Sequence, residues 1–296
     1  MMKFSELNLS NNILKALKEM GFDSPTEIQA KAIPVLLDTK KDFVGQAQTG
    51  TGKTGAFAIP LLSKIDFKSN SVQALILAPT RELANQIEKE IKKFGKHTPV
   101  KSTCIYGGTG YESQIRALKS DRPQIVVGTP GRVIDMIDKG ILKLEHANYC
   151  ILDEADEMLN MGFLEDVQTI LSSFNSKRQL MMFSATMPSP IVKLIKSSFN
   201  APEMVKIEKK SLSNDDIEQK YFVVREKHFK EAIARLIDDA QDMYGIVFCK
   251  TKLETKMVAD DLKNRGHEAE VLNGDMGQVE RDHAMNNFKK KKVNLL

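Results

Sequence analysis

The clearest chemical pattern in the sequence is a glycine-rich segment, residues 47–54, which ends in Gly-Lys-Thr. The segment follows an apolar run and precedes a helix-like pattern. Glycines let a backbone approach phosphate oxygens closely, and the N–H groups of a helix N-terminus supply positive potential. In such a loop we expect Lys53 to reach the outer phosphates of a nucleotide and the Thr54 hydroxyl to ligate magnesium.

One position departs from the general phosphate-loop signature, because Ala47 stands where glycine is usual. Gly50 and Gly52 still allow the tight turn that the loop needs. The alternative, a glycine-rich turn without a ligand, does not explain why Gly-Lys-Thr lies between a strand pattern and a helix pattern. The residues predicted to surround the nucleotide phosphates are Gln48, Thr49, Gly50, Thr51, Gly52, Lys53 and Thr54.

A second chemical pattern is the acidic segment Asp-Glu-Ala-Asp at residues 153–156, which follows an apolar run. Carboxylates at the carboxyl end of a parallel strand face the crevice in which nucleotides bind. We expect Asp153 to hold magnesium and Glu154 to orient and activate an attacking water, since positioning and charge stabilisation dominate phosphoryl transfer. Lys53, Asp153 and Glu154 are therefore the predicted catalytic residues. Acidic residues that only interact with a helix dipole are the alternative.

Short apolar runs alternate with helix-length segments from about residue 42 onward. Both faces of these runs are apolar, which is typical of strands buried between two layers of helices. The sequence therefore predicts an α/β fold with a parallel sheet. The predicted strands are residues 42–46, 74–78, 102–106, 125–128, 149–153 and 180–184.

The alternation stops at a polar segment, residues 208–216, which is predicted to be a linker. It then resumes with four predicted strands at residues 221–224, 245–249, 269–272 and 293–296. A parallel sheet that ends within an apolar run leaves a hydrophobic edge unpaired. We therefore expect residues 217–296 to be a truncated second domain.

Composition restricts the class of protein. The chain has 296 residues, of which 42% are hydrophobic and 28% charged, and its net charge of +4 is compatible with binding a polyanion. No apolar run approaches the roughly 20 residues that cross a bilayer, and no secretory signal opens the sequence, so no membrane association is expected. The wide spacing of Cys104, Cys150 and Cys249 disfavours a zinc site or disulfides and predicts a cytoplasmic protein.

The phosphate loop and the acidic segment together resemble the DEAD-box RNA helicases of superfamily 2, and the resemblance covers nearly the whole chain. It implies a RecA-like parallel sheet flanked by helices, as in P-loop NTPases, followed by a partial second RecA-like domain. It also implies that the chain binds ATP, Mg²⁺ and RNA. The implied domains are an adenine-recognition segment at 1–30, an ATP-binding domain at 31–207, a linker at 208–216 and a truncated helicase C-terminal domain at 217–296.

An upstream segment with Phe22, Thr26 and Gln29 resembles the adenine-recognition motif of that family. The resemblance implies that Gln29 reads the edge of adenine and that Phe22 stacks on the base. A planar amide can donate and accept hydrogen bonds at once, which suits adenine. Considered alone, Phe22 and Gln29 are more typical of a core aromatic residue and a surface amide.

Several further segments resemble family motifs that contact the sugar-phosphate backbone of RNA. Helix N-termini, glycine amides and hydroxyl groups bind phosphate without reading the base sequence, and contacts to 2′-hydroxyls favour RNA over DNA. Each segment alone is also explained as a turn between a strand and a helix. The residues are Pro79, Thr80, Arg81, Gly107, Gly108, Thr129, Pro130, Gly131 and Arg132, with Thr251 and Arg281 after the linker.

Residues 184–186, Ser-Ala-Thr, resemble the family motif that couples nucleotide state to domain closure. We expect the hydroxyls of Ser184 and Thr186 to hydrogen-bond Asp156. The family's later segments, which supply arginine fingers, have no match before Leu296. An arginine finger is worth roughly 10³–10⁵ in turnover, so we expect this chain alone to bind ATP and hydrolyse it slowly.

Three functions remain open at this point. The first is an RNA-stimulated ATPase and helicase, and the second is a nucleotide-gated module that binds RNA or a protein partner without efficient hydrolysis. The third is another P-loop enzyme, such as a DNA helicase or a kinase. The adenine-recognition segment, the acidic segment and residues 184–186 argue against the third. The sequence does not identify a protein partner.

Overall fold

The computed structural model describes residues 2–108, 110–175, 177–207, 217–240 and 243–296. The chain divides into two compact units, Met1–Lys210 and Ser211–Leu296. The predicted linker, residues 208–216, lies outside the described residues. No helix in the described ranges combines the length and the apolar character that a bilayer crossing requires.

The first unit is built on a seven-stranded sheet in the order β3-β4-β2-β5-β6-β1-β7, and every neighbouring pair is parallel. All six strands predicted before the linker are present, with ends that differ by at most one residue. The seventh, β7, was not predicted, because it is an edge strand whose residues are only alternately half-buried. The strands are β1 Phe43–Gln46, β2 Ala74–Leu77, β3 Ser102–Ile105, β4 Ile125–Gly128, β5 Tyr149–Leu152, β6 Gln179–Ser184 and β7 Glu203–Lys206.

Helices cover both faces of this sheet. In β2, Ile76 packs into one core cluster, whereas Leu75 and Leu77 pack into the other. This explains the unbroken apolar runs, since both faces of a strand between two helix layers are buried. The helices are α1 Asn11–Glu19, α2 Glu27–Asp38, α3 Lys53–Lys64, α4 Arg81–Phe94, α5 Tyr111–Arg116, α6 Pro130–Asp138, α7 Ala155–Asn160, α8 Leu164–Ser172 and α9 Ser189–Ser198.

Buried polar side chains fix the loops at the amino edge of the sheet. The Asp42 carboxylate accepts hydrogen bonds from the backbone N–H groups of Leu180 and Asn200, both at 2.7 Å. Gln124 accepts from the N–H of Lys101 and donates to the carbonyl oxygen of Ser69. These contacts satisfy backbone groups that form no hydrogen bond within the sheet. They also fix the strands, whose opposite, carboxyl ends carry the site.

The second unit contains α10 Phe229–Asp239, α11 Lys252–Asn264 and α12 Gln278–Lys289 around a small core that includes Ala269 and Leu295. The prediction of four regular strands here was wrong. Among the described residues, the segments 245–249 and 269–272 each meet 293–296 at a single parallel bridge, at Leu295. Segment 221–224 lies largely in solvent, and the side chain of Tyr221 is 89% exposed.

Candidate active site

The predicted site segments meet at one edge of the first unit, because the carboxyl ends of parallel strands lie together. Strands β5, β6 and β1 are neighbours, and they are followed by the acidic segment, residues 184–186 and the phosphate loop. Strands β3, β4 and β2 are also neighbours, and they are followed by the segments predicted to bind RNA. The edge therefore has a part suited to a nucleotide and an adjoining part suited to a polyanion.

The phosphate loop turns at Gly50 and Gly52, whose φ angles are +80° and +90°. L side chains rarely adopt such angles, so both positions favour glycine. A Cβ atom at Gly52 would also lie 2.6 Å from Nε2 of Gln29. Helix α3 begins at Lys53 directly after this turn, and its N-terminal N–H groups are thereby presented to the loop.

A further feature of the site is the buried side chain of Lys53. Its Nζ has no hydrogen-bond partner among the described residues. A buried ammonium group without a partner is energetically costly. The arrangement therefore fits a ligand that brings anionic oxygens, as the phosphates of ATP would do. Thr54, the next residue of α3, is half-buried and lines the same cleft.

Asp153 lies at the end of β5 and is only 2% exposed. Burial raises the pKa of Asp153 to about 7; the positive charge of Lys53 opposes this rise and the charge of Glu154 adds to it. The Asp153 carboxylate accepts a hydrogen bond from the N–H of Glu154 at 3.0 Å. Both acidic residues line the cleft that Lys53 lines, so the two carboxylates and the lysine face one space.

Glu154 has an unusual backbone conformation, with φ +50° and ψ 51°. The left-handed region costs a residue with a side chain roughly 1–2 kcal/mol, and such strain persists where the surrounding structure enforces it, often at functional sites. Here it occurs at the turn between β5 and α7. The strained turn keeps the half-buried Glu154 side chain at the cleft.

Gln29 joins the adenine-recognition segment to the phosphate loop. Its Oε1 accepts from the N–H of Thr26, and its Nε2 donates to the carbonyl oxygen of Gly52, both at 3.0 Å. An amide has a second lone pair and a second N–H, so Gln29 retains capacity for a base. Phe22 lines the same cleft and is 44% exposed, with its ring centroid 6.5 Å from that of Phe94.

Helix α4 forms a wall of this cleft that sequence reasoning missed. Gln86, Glu90, Lys93 and Phe94 line it together with Leu83, and the cleft encloses about 1140 Å³ including its open mouth. The spacing of these residues at three and four positions shows that they share one helix face. Which face of α4 meets the cleft depends on packing against α3, and no pattern in the sequence indicates it.

Asp156 connects the acidic segment to residues 184–186. Its Oδ2 accepts from the hydroxyl of Thr186 at 2.7 Å and from the N–H of Thr186 at 2.9 Å. The hydroxyl oxygen of Ser184 accepts from the N–H of Asp156 at 3.3 Å. Burial alone would raise the pKa of Asp156, but the Thr186 hydrogen bonds lower it below its usual value. The coupling role of the three residues stays a prediction.

The adjoining part of the edge contains the strand-to-helix turns at which α4 and α6 begin. Thr80 begins α4, and its hydroxyl oxygen accepts from the N–H of Leu83 at 3.2 Å. Thr129 and Pro130 begin α6. Apart from the chain neighbours of Gly131 and the backbone of its own helix, no heavy atom of the described residues lies within 4 Å of its Cβ position, so the backbone there is open to a ligand. These turns expose helix N-termini, which bind anions.

The remaining predicted RNA contacts follow the same pattern. Pro79 precedes the turn into α4, and the Arg81 guanidinium lies against Gly108, which follows Gly107 after β3. In the second unit, Thr251 caps α11 by accepting from the N–H of Glu254 at 3.1 Å, and Arg281 lies in the first turn of α12. The RNA-binding roles of these residues stay predictions.

Comparison with protein families gives two matches. Residues 26–194 match the DEAD/DEAH box helicase family, and residues 228–296 match the helicase conserved C-terminal domain. The whole chain is 47% identical to the DEAD-box ATP-dependent RNA helicase CshA of Geobacillus kaustophilus, and it spans 63% of that protein. The chain thus spans less than two thirds of the length of this relative.

Two solved structures are similar to the chain over its full length. A DEAD box protein from the hyperthermophile Methanococcus jannaschii is 44% identical, with a TM-score of 0.68, and 79% of that chain is covered. Dbp5 of S. cerevisiae bound to RNA and ADP BeF3 is 30% identical, with a TM-score of 0.90, and 75% of that chain is covered.

Proposed function

The chain belongs to the DEAD/DEAH box helicase family, with RecA-like domains in both units, and from that premise we propose that it is an ATP-dependent RNA helicase. The observation that carries the proposal is the buried Nζ of Lys53, which has no hydrogen-bond partner within the described ranges and shares a cleft with Asp153 and Glu154. This arrangement suits the phosphates of ATP.

In the proposed site, each residue has a distinct part. Lys53 and the N–H groups of the loop bind the phosphates, and Glu154 orients a water for attack on the terminal phosphate. Thr54 and Asp153 would hold Mg²⁺, which commonly binds through one or two carboxylates together with substrate phosphates. When bound, the ion would neutralise phosphate charge. Gln29 hydrogen-bonds the edge of adenine, and Phe22 stacks on the ring.

RNA is the proposed second substrate. The relative from Geobacillus kaustophilus is named an RNA helicase, and the yeast Dbp5 structure contains RNA. The turns at Thr80, Gly108 and Gly131 offer helix N-termini and accessible backbone, which bind phosphate without reading the bases. We therefore propose contacts to the sugar-phosphate backbone, with RNA chosen through its 2′-hydroxyls.

For the 296-residue polypeptide tested by itself we propose slow hydrolysis, because the segment that the resemblance associates with arginine fingers is not among its residues. A nucleotide-gated binding module without efficient hydrolysis is the alternative. It uses the same cleft, so nucleotide binding alone does not separate the two functions. Turnover does separate them.

The experiment is steady-state ATP hydrolysis with and without single-stranded RNA. We expect RNA to stimulate turnover and Glu154→Gln to lower it by at least about 100-fold, because activation of the attacking water is lost, while ATP binding persists. Glu157→Gln is the matched control, since Glu157 is an exposed glutamate of α7, the helix that follows Glu154, and its side chain contacts Asn160. If neither RNA nor Glu154→Gln changes the rate of ATP hydrolysis, only the binding-module function remains.

A further inference from the structure

A cation-binding aromatic ring lies beside the predicted RNA-binding turns of the first unit. The Arg132 guanidinium carbon is 5.0 Å from the centroid of the Tyr111 ring, and Lys139 Nζ is 4.3 Å from it. Arg132 lies in the first turn of α6, and Lys139 follows its last residue. The electron-rich face of an aromatic ring attracts cations. Two positively charged groups, one from each end of α6, therefore lie next to the Tyr111 ring.

Gln114 fixes the position of Arg132 from a second side. It is a buried residue of α5, one turn after Tyr111, and its Oε1 accepts from Arg132 Nη1 at 3.1 Å. The same oxygen accepts from the N–H of Tyr106 at 3.2 Å, and Gln114 Nε2 donates to the Tyr106 carbonyl oxygen at 3.0 Å. Tyr106 directly precedes the predicted RNA contact Gly107. Gln114 thus holds the Arg132 guanidinium in a fixed position relative to the turn after β3.

One carboxylate competes for these cations. Asp135 pairs with Lys139 at 2.8 Å across one turn of α6, and both side chains are exposed. The hydrogen bond from Lys139 lowers the pKa of Asp135, and the nearby charge of Arg132 acts in the same direction. An anionic ligand at the ring would have to share Lys139 with Asp135, so removing the carboxylate should favour such a ligand.

We propose that Tyr111, Arg132 and Lys139 form an additional binding site for the RNA backbone, which extends the contact at the N-terminus of α6 along that helix to Lys139. Tyr111 acts as a positioning residue for both cations. RNA is the favoured ligand because the site continues directly from the open turn at Gly131. The inference rests on the RNA binding proposed for the first unit.

The test is fluorescence anisotropy of a labelled oligouridine with the 296-residue chain, Mg²⁺ and AMP-PNP over a series of salt concentrations. We expect Tyr111→Ala and Lys139→Met to weaken binding by about 3- to 10-fold, and Tyr111→Phe to bind as the unchanged chain does. Lys139→Met should also reduce the salt slope by about 0.7, as one phosphate contact is lost. Asp135→Asn should strengthen binding, which a purely structural role of these residues would not produce.

Two variants serve as controls. Ile115→Ala removes another half-buried side chain of α5 that packs on the same core, and Lys143→Met removes an exposed lysine beyond α6 without a ring contact. Both should bind oligouridine like the unchanged chain.

If Arg132→Ala weakens binding but Tyr111→Ala, Lys139→Met and Asp135→Asn have no effect, the inference is wrong and the proposed function stands. If the unchanged chain does not bind oligouridine, the proposed RNA binding itself is wrong. Equal competition by polyglutamate would identify a general anion surface and overturn the RNA assignment.

Discussion

Lys53 illustrates how a single residue can be poorly suited to the empty fold and well suited to its ligand. The loop glycines, the start of α3 and the buried end of β5 place its ammonium group in a cleft, where the part of the chain that the structure describes offers it no hydrogen-bond acceptor. Asp153 beside it is buried enough for its pKa to rise to about 7. Lys53 is therefore arranged for a ligand that brings phosphate charge, and Asp153 for the cation that would accompany that ligand. Natural sites of this kind sacrifice some stability for function.

This argument predicts a gain of stability in a disabled protein. Lys53→Met should raise the free energy of unfolding without nucleotide by about 1–2 kcal/mol, since a buried polar group without a partner is removed. For a unit of about 200 residues this corresponds to a Tm increase of roughly 2–8 °C. The measurement is thermal unfolding, with nucleotide binding followed in parallel and expected to be lost.

Lys64→Met is the matched control for this prediction. Lys64 is another lysine of α3; it is half-buried, and its Nζ donates to the carbonyl oxygen of Thr39 at 2.9 Å. Its loss should lower the Tm or leave it unchanged. A Tm decrease in Lys53→Met would mean that the ammonium group stabilises the nucleotide-free fold, contrary to the argument.

At the scale of elements, the sequence predicted what is set by local pattern and missed what is set by packing. The buried strands were predicted to within one residue, because their apolar runs stand between polar turns. Strand β7 was missed, since Met204 is 65% exposed and the run has no continuous apolar character. The face of α4 that lines the cleft, and the contact of Tyr111 with Arg132, depend on tertiary neighbours and left no local signal.

Asp42 provides a test of how the elements are held together. It is 8% exposed, and its two oxygens accept from the backbone N–H groups of Leu180, in β6, and of Asn200, which precedes β7. Asp42→Ala leaves the buried N–H of Leu180 and the partly buried N–H of Asn200 without this acceptor, so we expect a loss of about 2–4 kcal/mol. Asp42→Asn keeps one acceptor and should lose less. Urea unfolding measures both, and Asp38→Ala, at an exposed position, should change stability by no more than about 0.5 kcal/mol. Equal stability of the two Asp42 variants would contradict the assigned hydrogen bonds.

At the scale of the molecule, one sheet edge carries both proposed functions of the first unit. The neighbouring ends of β5, β6 and β1 bear the nucleotide segments, and those of β3, β4 and β2 bear the RNA segments. Since β2 pairs directly with β5, the two groups are fixed to one rigid scaffold. The second unit has a smaller core and fewer strand contacts than the first unit. Among its described residues, the hydrophobic core cluster contains six buried residues, and the parallel contacts are single bridges.

The three cysteines can report on the two units separately. Cys104 and Cys150 lie in β3 and β5, and Cys249 lies in the second unit, where it is only partly buried. We expect alkylation in rising urea to modify Cys249 first and Cys150 last, because a small core opens at lower free energy.

ATP at about 100 times its Kd should stabilise the unit that binds it by about 2.7 kcal/mol. It should therefore shift the transition of Cys150 to higher urea and leave that of Cys249 unchanged. If Cys249 and Cys150 become reactive at the same urea concentration and move together with ATP, the units unfold as one, and the weaker hold on the second unit is refuted.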